Sequence, residues 1–287
     1  MPARELVWYP AAGDPIVLND RDAGYRVHKG ATGLGVPPAQ LVTDTTPLLD
    51  GEVVTDVYET GRSIMLPMTV FGATNAELRE RLRALCSALD PRQPGHLELA
   101  QQDGQRRRIR GYYAAGLEGA EDRANGGDTT WYRFVLRLYC PDVFWFDPTP
   151  VVLSFPFPAP VPFFTFFPLR LSADDVLGSG VLTNPGDVAA WPIWTATPPG
   201  TAVALDNDDT GEELHVSGTL SGTLTIVTQP GEQSVDMGGS DWWSHLTGTP
   251  TFWAIPPGST NVTLSLTGAS TGSSVSCTFY PRYRSGW

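Results

Sequence analysis

Apolar and polar residues alternate along much of this chain with the period of two that marks half-buried strands. The clearest case is Arg62 to Phe71, where Ile64, Leu66, Met68 and Val70 form one face and Ser63, Met65, Pro67 and Thr69 the other. Trp131 to Cys140 repeats the pattern: Tyr132, Phe134, Leu136, Leu138 and Cys140 lie opposite Trp131, Arg133, Val135, Arg137 and Tyr139. Glu5 to Tyr9, Pro15 to Leu18, Glu52 to Glu59, His96 to Gln101 and Gln105 to Tyr113 read as further strands, the last two joined at Asp103-Gly104. Proline cannot donate to a ladder, so Pro67 places Arg62 to Phe71 at a sheet edge or a bulge. Tyr25 to Pro38, with Gly30, Gly33 and Gly35, reads as a loop, and so does the polar stretch Asp122 to Asp128.

The period lengthens at one place. Leu78, Leu82, Leu85 and Leu89 recur at helical spacing, with Cys86 beside them. Thr74-Asn75-Ala76-Glu77 is a capping box, in which the threonine hydroxyl and the Glu77 carboxylate each satisfy an orphan backbone N–H. Asp90-Pro91 closes the segment, because a residue before proline avoids helical backbone. A helix from Thr74 to Leu89 laid on a sheet is the expected packing.

The character changes at Asn184-Pro185-Gly186-Asp187 and Trp191-Pro192-Ile193-Trp194. Beyond this point Gly, Ser, Thr and Trp dominate and no helical period survives. Short strand signals recur at Trp191 to Ala196, Ala202 to Asp206, Glu213 to Ser217, Leu220 to Thr228, Thr251 to Ile255, Asn261 to Thr267 and Ser274 to Arg282. That rhythm predicts an antiparallel β-sandwich. Between the halves, Val151 to Leu171 is the most apolar stretch, but five prolines from Pro156 to Pro168 rule out a membrane helix. The organisation expected is a first domain over 1–150, a proline-rich aromatic linker over 151–180 and a sandwich over 181–287.

Composition narrows the function classes. The net charge of -12 argues against a general nucleic-acid binder. Met1 to Pro10 lacks an apolar core of signal-peptide length, so synthesis in the cytoplasm is the expectation. The three cysteines, Cys86, Cys140 and Cys277, have no C-x-x-C pairing and read as small buried apolar groups.

Candidate chemistry is sparse. Asp206-Asn207-Asp208-Asp209-Thr210-Gly211 starts like a calcium loop, but the last ligand position falls on Ser217, which offers no bidentate carboxylate; an acidic hairpin turn is the reading. Arg106, Arg108 and Arg110 share one face of a strand, with Arg107 opposite, and read as a solvated or subunit-facing stripe. The four histidines, His28, His96, His215 and His245, have no partner at metal spacing, and no nucleophile elbow is present. No catalytic residue, cofactor or metal is expected. Trp242, Trp243 and Trp253 are the candidate ligand-contacting aromatics, as a platform on which a sugar could stack.

Taken in order, several stretches make the chain resemble the distal tail proteins of long non-contractile-tailed (siphovirus-like) bacteriophages. They are Gly61 to Val70, Glu77-Leu78-Arg79 through Ala88-Leu89-Asp90-Pro91, Asp103-Gly104-Gln105-Arg106 and Cys140-Pro141-Asp142-Val143-Phe144-Trp145. In the second half they are Asn184 to Asp187, Trp191 to Trp194, Asn207 with Thr210-Gly211, Phe252-Trp253 and Pro256-Pro257-Gly258. The resemblance implies a mainly β protein: an N-terminal β-sandwich or split barrel with one packed helix, and a C-terminal galectin-like antiparallel β-sandwich. It also implies a structural role in the virion, as a homohexameric ring at the tail tip. The partners implied are the tail tube protein and the trimeric tail-associated hub protein. The galectin-like domain would project outward. The rival reading is a carbohydrate-binding module that meets a host surface glycan through the second domain. Neither reading involves sequence-specific nucleic acid, insertion into a membrane or catalysis.

Overall fold

The structure, a computed structural model, describes residues 5–45, 50–118, 130–157, 161–162, 170–171 and 178–287. The Asp122 to Asp128 loop, and the linker at 158–160, 163–169 and 172–177, lie outside the described residues. The chain divides into two compact units: Met1–Pro148 together with Tyr283–Trp287, and Thr149–Arg282.

The first unit contains β1 (Glu5–Tyr9), β2 (Ile16–Val17), β3 (Tyr25–Val27), β4 (Ala39–Asp44), β5 (Val53–Glu59), β6 (Arg62–Phe71), α1 (Asn75–Ala88), β7 (Gly95–Ala100), β8 (Arg106–Ala115), β9 (Trp131–Cys140) and β10 (Trp145–Phe146). Its main sheet runs β2-β1-β7-β8-β9-β6-β3, with antiparallel pairing along the path. Both alternating strands behave as their pattern requires. Ile64, Leu66, Met68 and Val70 on β6 are sealed from solvent, as are Leu136, Leu138 and Cys140 on β9.

The edge position expected for Arg62 to Phe71 is wrong. β6 pairs with β9 along its whole length and with β3 on its other side. Pro67 is tolerated because β3 is short. The Pro67 carbonyl accepts the His28 N–H at 2.7 Å, so the proline nitrogen points to the same side, just past the end of β3. The missing donor therefore costs no ladder bond with β9.

Helix α1 packs on β6 and β9. Leu78, Leu85 and Leu89 are buried, and Leu82 sits at the margin of the same core. The Thr74 hydroxyl accepts the Glu77 N–H at 3.2 Å, and Glu77 takes the N–H of Ala73 at 2.6 Å rather than that of Thr74. The Trp8 indole donates to the Ala88 carbonyl at 2.7 Å, fastening the end of the helix to β1. Cys86 corrects another expectation: it is exposed on the outer side of the helix, while Cys140 and Cys277 are buried. Burial pushes the Cys140 thiol up to about 12.

The last five residues complete this unit. Arg62, buried although charged, donates to the carbonyls of Gly33 at 3.2 Å, Gly35 at 2.5 Å and Arg284 at 3.0 Å, and also to that of Val143. Arg107 donates to the carbonyls of Ser285 and Trp287, both at 2.8 Å, and lies over the Tyr283 ring. Gly286 donates to the Leu34 carbonyl at 2.9 Å. A Cβ on Gly286 would come within 3.0 Å of Leu99 and 3.1 Å of Trp145, so the tail lies closely against both side chains.

The second unit contains β11 (Val151–Pro156), β12 (Val161–Pro162), β13 (Arg170–Leu171), β14 (Gly178–Asn184), β15 (Ile193–Thr197), β16 (Ala202–Asn207), β17 (Glu212–Ser217), β18 (Leu224–Val227), β19 (Ser234–Met237), β20 (Ser240–Asp241), β21 (Leu246–Thr247), β22 (Gly258–Thr267) and β23 (Ser274–Phe279). Two antiparallel sheets, β11-β23-β15-β18-β19-β20 and β14-β22-β16-β17-β21, enclose one core. Trp194 and Trp253 meet edge to face at its centre, 5.4 Å apart. Val151 to Pro156, expected as linker, is a full strand paired with β23. Thr251 to Ile255 is not a strand; it contributes a single bridge between Ile255 and Ala190.

Asn184 explains the Asn-Pro-Gly-Asp signature. Its buried amide donates to the carbonyls of Val188 at 3.0 Å and Ile255 at 2.9 Å, and its oxygen accepts the Gly186 N–H at 2.9 Å. Any Cβ on Gly186 would fall 2.5 Å from the Arg282 carbonyl oxygen.

Candidate interaction surfaces

Three features of the sequence offered chemistry, and the structure disposes of them differently. The arginine strand is largely neutralised from within. β7 runs beside β8, so Glu98 faces Arg108 in register. Its carboxylate, almost wholly buried, accepts from Arg108 Nε at 2.6 Å, Arg106 at 3.3 Å and the Tyr9 hydroxyl at 3.3 Å. Arg108 also lies over the Tyr9 ring. Arg107 on the opposite face is engaged by the C-terminal tail. Arg107 and Arg108 are thus drawn into structural pairs, while Arg106, at 55% exposure, and Arg110 stand on the solvated face expected of the stripe.

The acidic turn from Asp206 to Gly211 is the hairpin between β16 and β17, and its acids are spent on neighbours. Asn207 Oδ1 accepts the Asp209 and Thr210 N–H groups, and Gly211 takes a φ of 73°. Asp209 receives the Asn261 backbone and side-chain N–H groups, each at 2.8 Å, which holds its carboxyl below the ordinary range. Asp208 accepts from the Thr263 hydroxyl at 2.9 Å, and Asp206 meets His215 at 2.6 Å. No group of three or more His, Cys, Asp or Glu side chains suited to a metal occurs among the described residues.

The three tryptophans do not form one platform. Trp253 is 2% exposed, packs on Trp194 and donates its indole N–H to the Leu205 carbonyl. Trp242 is buried as well, stacked on the His245 ring with centroids 3.9 Å apart. Only Trp243 is open, at 40% exposure, tilted against Phe252 at 5.2 Å. Trp242 and Trp243 part company because Trp243 begins a single turn of 3-10 helix, not because they alternate in a strand.

The surface that sequence reading passed over is the ribbon of β4 and β5. Among the described residues these strands pair only with each other, and every residue of β4 is exposed. Leu41, Val42, Val53, Val54, Val57 and Tyr58 all stand in solvent. A register shift after Val42 leaves Val42 opposite Asp56 and Asp44 opposite Val53, on one face with Tyr58. Between Ala39 and Glu59 there are five acidic residues and no basic one.

A second surface lies on the outer face of β3, β6 and β9. Cross-strand pairing sets Arg26 beside Thr69 and Thr69 beside Arg133, with Phe71 beside Trp131 in the next row. With Arg21 and His28 they line an open cavity of about 300 Å³. His28 is bonded to the Thr69 hydroxyl at 2.7 Å. Burial, then Arg133 and Arg26, hold its imidazole below the ordinary histidine value.

Residues 185–283 match the family model described as the siphovirus-type tail component, C-terminal domain. No curated protein matches the chain in sequence. Over almost the whole chain the fold is similar to that of the SPP1 Dit (gp 19.1) protein, described as a paradigm of hub adsorption apparatus in phages infecting Gram-positive hosts. The TM-score is 0.65 at 18% identity, covering 95% of this chain and 98% of that one. Chains of the phage P2 baseplate in its activated conformation with Ca and with Sr are also similar. Their TM-scores are both 0.55, at 11% and 10% identity, covering 96% of this chain and 98% of each. The family match at residues 185–283 supports a siphovirus-type tail component, and the likeness to these solved structures extends the same fold over almost the whole chain. No helix among the described residues is long and apolar enough to cross a membrane.

Proposed function

We propose that this protein is a structural component that closes into a homohexameric ring at the tail tip, joining the tail tube to the trimeric hub below. The observation that carries this reading is the β4–β5 ribbon. An isolated two-stranded ribbon is marginal in water, and one with apolar side chains uncovered on both faces calls for a covering surface. A head-to-tail contact, in which each copy covers the ribbon of the next, closes into a ring when the rotation is right. The second unit then serves as an outward binding or spacer module, and the protein carries out no catalysis. Replacing Val42 and Val53 together with aspartate should leave the fold intact and reduce the protein to monomers in size-exclusion chromatography with light scattering. A wild-type assembly that survives these changes would remove the ribbon from the contact.

The glycan-binding reading keeps one foothold, the exposed Trp243 beside Phe252. Binding to a glycan array by the intact protein, lost on Trp243→Ala with an unchanged melt, would establish it. Retention of binding would exclude that ring.

A further inference from the structure

We propose that the arginine-lined cavity on β3, β6 and β9 is the docking site for the acidic ribbon of a second copy of this chain. The proposal rests on the ring reading above and gives the contact its residues. Arg21, Arg26 and Arg133 converge on the cavity, and their side chains have no hydrogen bond or ion pair among the described residues. Among the described residues no carboxylate lines it. In a chain with a net charge of -12, a concentration of unpaired arginines is unusual, since acids elsewhere outnumber the bases. Elsewhere in this unit the arginines at 62, 81, 106, 107 and 108 have partners, and those at 79, 83 and 92 stand exposed and do not converge on this cavity.

The cavity also has apolar walls. Trp131 is 37% exposed and stands beside the half-buried Phe71. Further along the same face of β9, Val135 and Tyr139 are exposed too. The complement is therefore an extended segment that carries carboxylates interleaved with apolar side chains. The ribbon fits that description. Its face bearing Val42, Val53 and Tyr58 also bears Asp44 and Asp56. Neither acid has a basic partner among the described residues. Guanidinium groups match carboxylates in a two-point fork, and such pairs gain strength as the apolar rims exclude water. A neutral His28, held to Thr69, adds a polar edge without placing further charge in the cavity. The rival occupant, single-stranded nucleic acid stacked on Trp131, is disfavoured by the repulsion that the whole acidic chain would exert.

The test uses the full chain. Wild type, Arg26→Glu/Arg133→Glu, Asp44→Arg/Asp56→Arg and the four-fold combination are compared by light scattering and negative-stain electron microscopy. Circular dichroism confirms folding, which these exposed positions should not disturb. Each double reversal should raise the concentration needed for assembly at least about 30-fold, as for the loss of paired charges at an interface. The combination, which exchanges the charges, should recover most of that loss. Rings unchanged in Arg26→Glu/Arg133→Glu would overturn this site while leaving the ring reading intact. Loss of affinity for a single-stranded oligonucleotide with rings preserved would overturn it in favour of a phosphate site. A wild-type chain that stays monomeric at every concentration would remove both readings.

Discussion

Arg62 offers the sharpest test of how the first unit is held together. Arg62 is 2% exposed and, among the described residues, its guanidinium has no carboxylate in hydrogen-bond contact; it is solvated by the carbonyls of Gly33, Gly35, Val143 and Arg284. Burial lowers its pKa from the ordinary arginine value, though an arginine keeps its proton regardless. Arg62→Met keeps the apolar stem and removes every donor. Hydrogen bonds to a charged group contribute roughly 1.5–3 kcal/mol each, so the gross loss is large. Against it stands the desolvation cost of the charge, several kcal/mol, which the substitution relieves. The carbonyls left behind, converging from three separate segments, cannot all reach water. The net loss should be about 3–5 kcal/mol, the range for breaking a buried charged network from one side. For a unit of this size that is a fall in melting temperature of roughly 6–20 °C. Calorimetry of the full chain should show this shift in the transition of the first unit only. Arg62→Lys, which keeps the charge but loses the fork, should fall between. A shift below about 1 °C for Arg62→Met would mean that the carbonyl cluster does not depend on the guanidinium.

Three further outcomes follow from the same geometry. Deleting Tyr283 to Trp287 removes acceptors from Arg62, Arg107 and Gln101 and uncovers Leu99 and Trp145, so the first unit should lose about 3 kcal/mol or more in a denaturant melt. A chain ended near Val151 shares that defect, and is expected to form rings poorly unless the tail peptide is restored. Thiol labelling of the native protein should modify Cys86 alone, with Cys140 and Cys277 reacting only in denaturant; fast labelling of all three would contradict their burial. His96 is held below the ordinary histidine value by burial, then by Arg108 and Arg110. The unfolded chain therefore takes up this proton first, and stability, complete above the unfolded value, should fall as pH drops towards and through the folded one. His96→Gln should flatten that slope in melts between about pH 7 and 5.

Much of the first unit was legible because β6, β9 and α1 bury one face each, and burial writes a period into the sequence. The elements that escaped lack that imprint. β4 covers no core, so Ala39 to Asp44 carries no alternation to read. Glu98 sits in a strand where an acid suggests solvent, and its burial depends on arginines from the next strand and a tyrosine from β1. The edge assigned to Arg62–Phe71 followed from Pro67, whose acceptability depends on where β3 stops. The return of the last five residues to the first unit is a contact across the whole chain, which no local pattern encodes. Among the tryptophans, sequence marked Trp242, Trp243 and Trp253 alike, and only packing separated the exposed ring from the buried ones.

The central claim, that this chain builds a ring, is tested most directly by electron cryomicroscopy of the purified full-length protein. The account predicts closed particles with sixfold symmetry, a mass six times 31.0 kDa, and the β4–β5 ribbon of each copy against the β3-β6-β9 face of the next. Particles of 31.0 kDa at every concentration, or a closed assembly with the ribbons free in solvent, would contradict it.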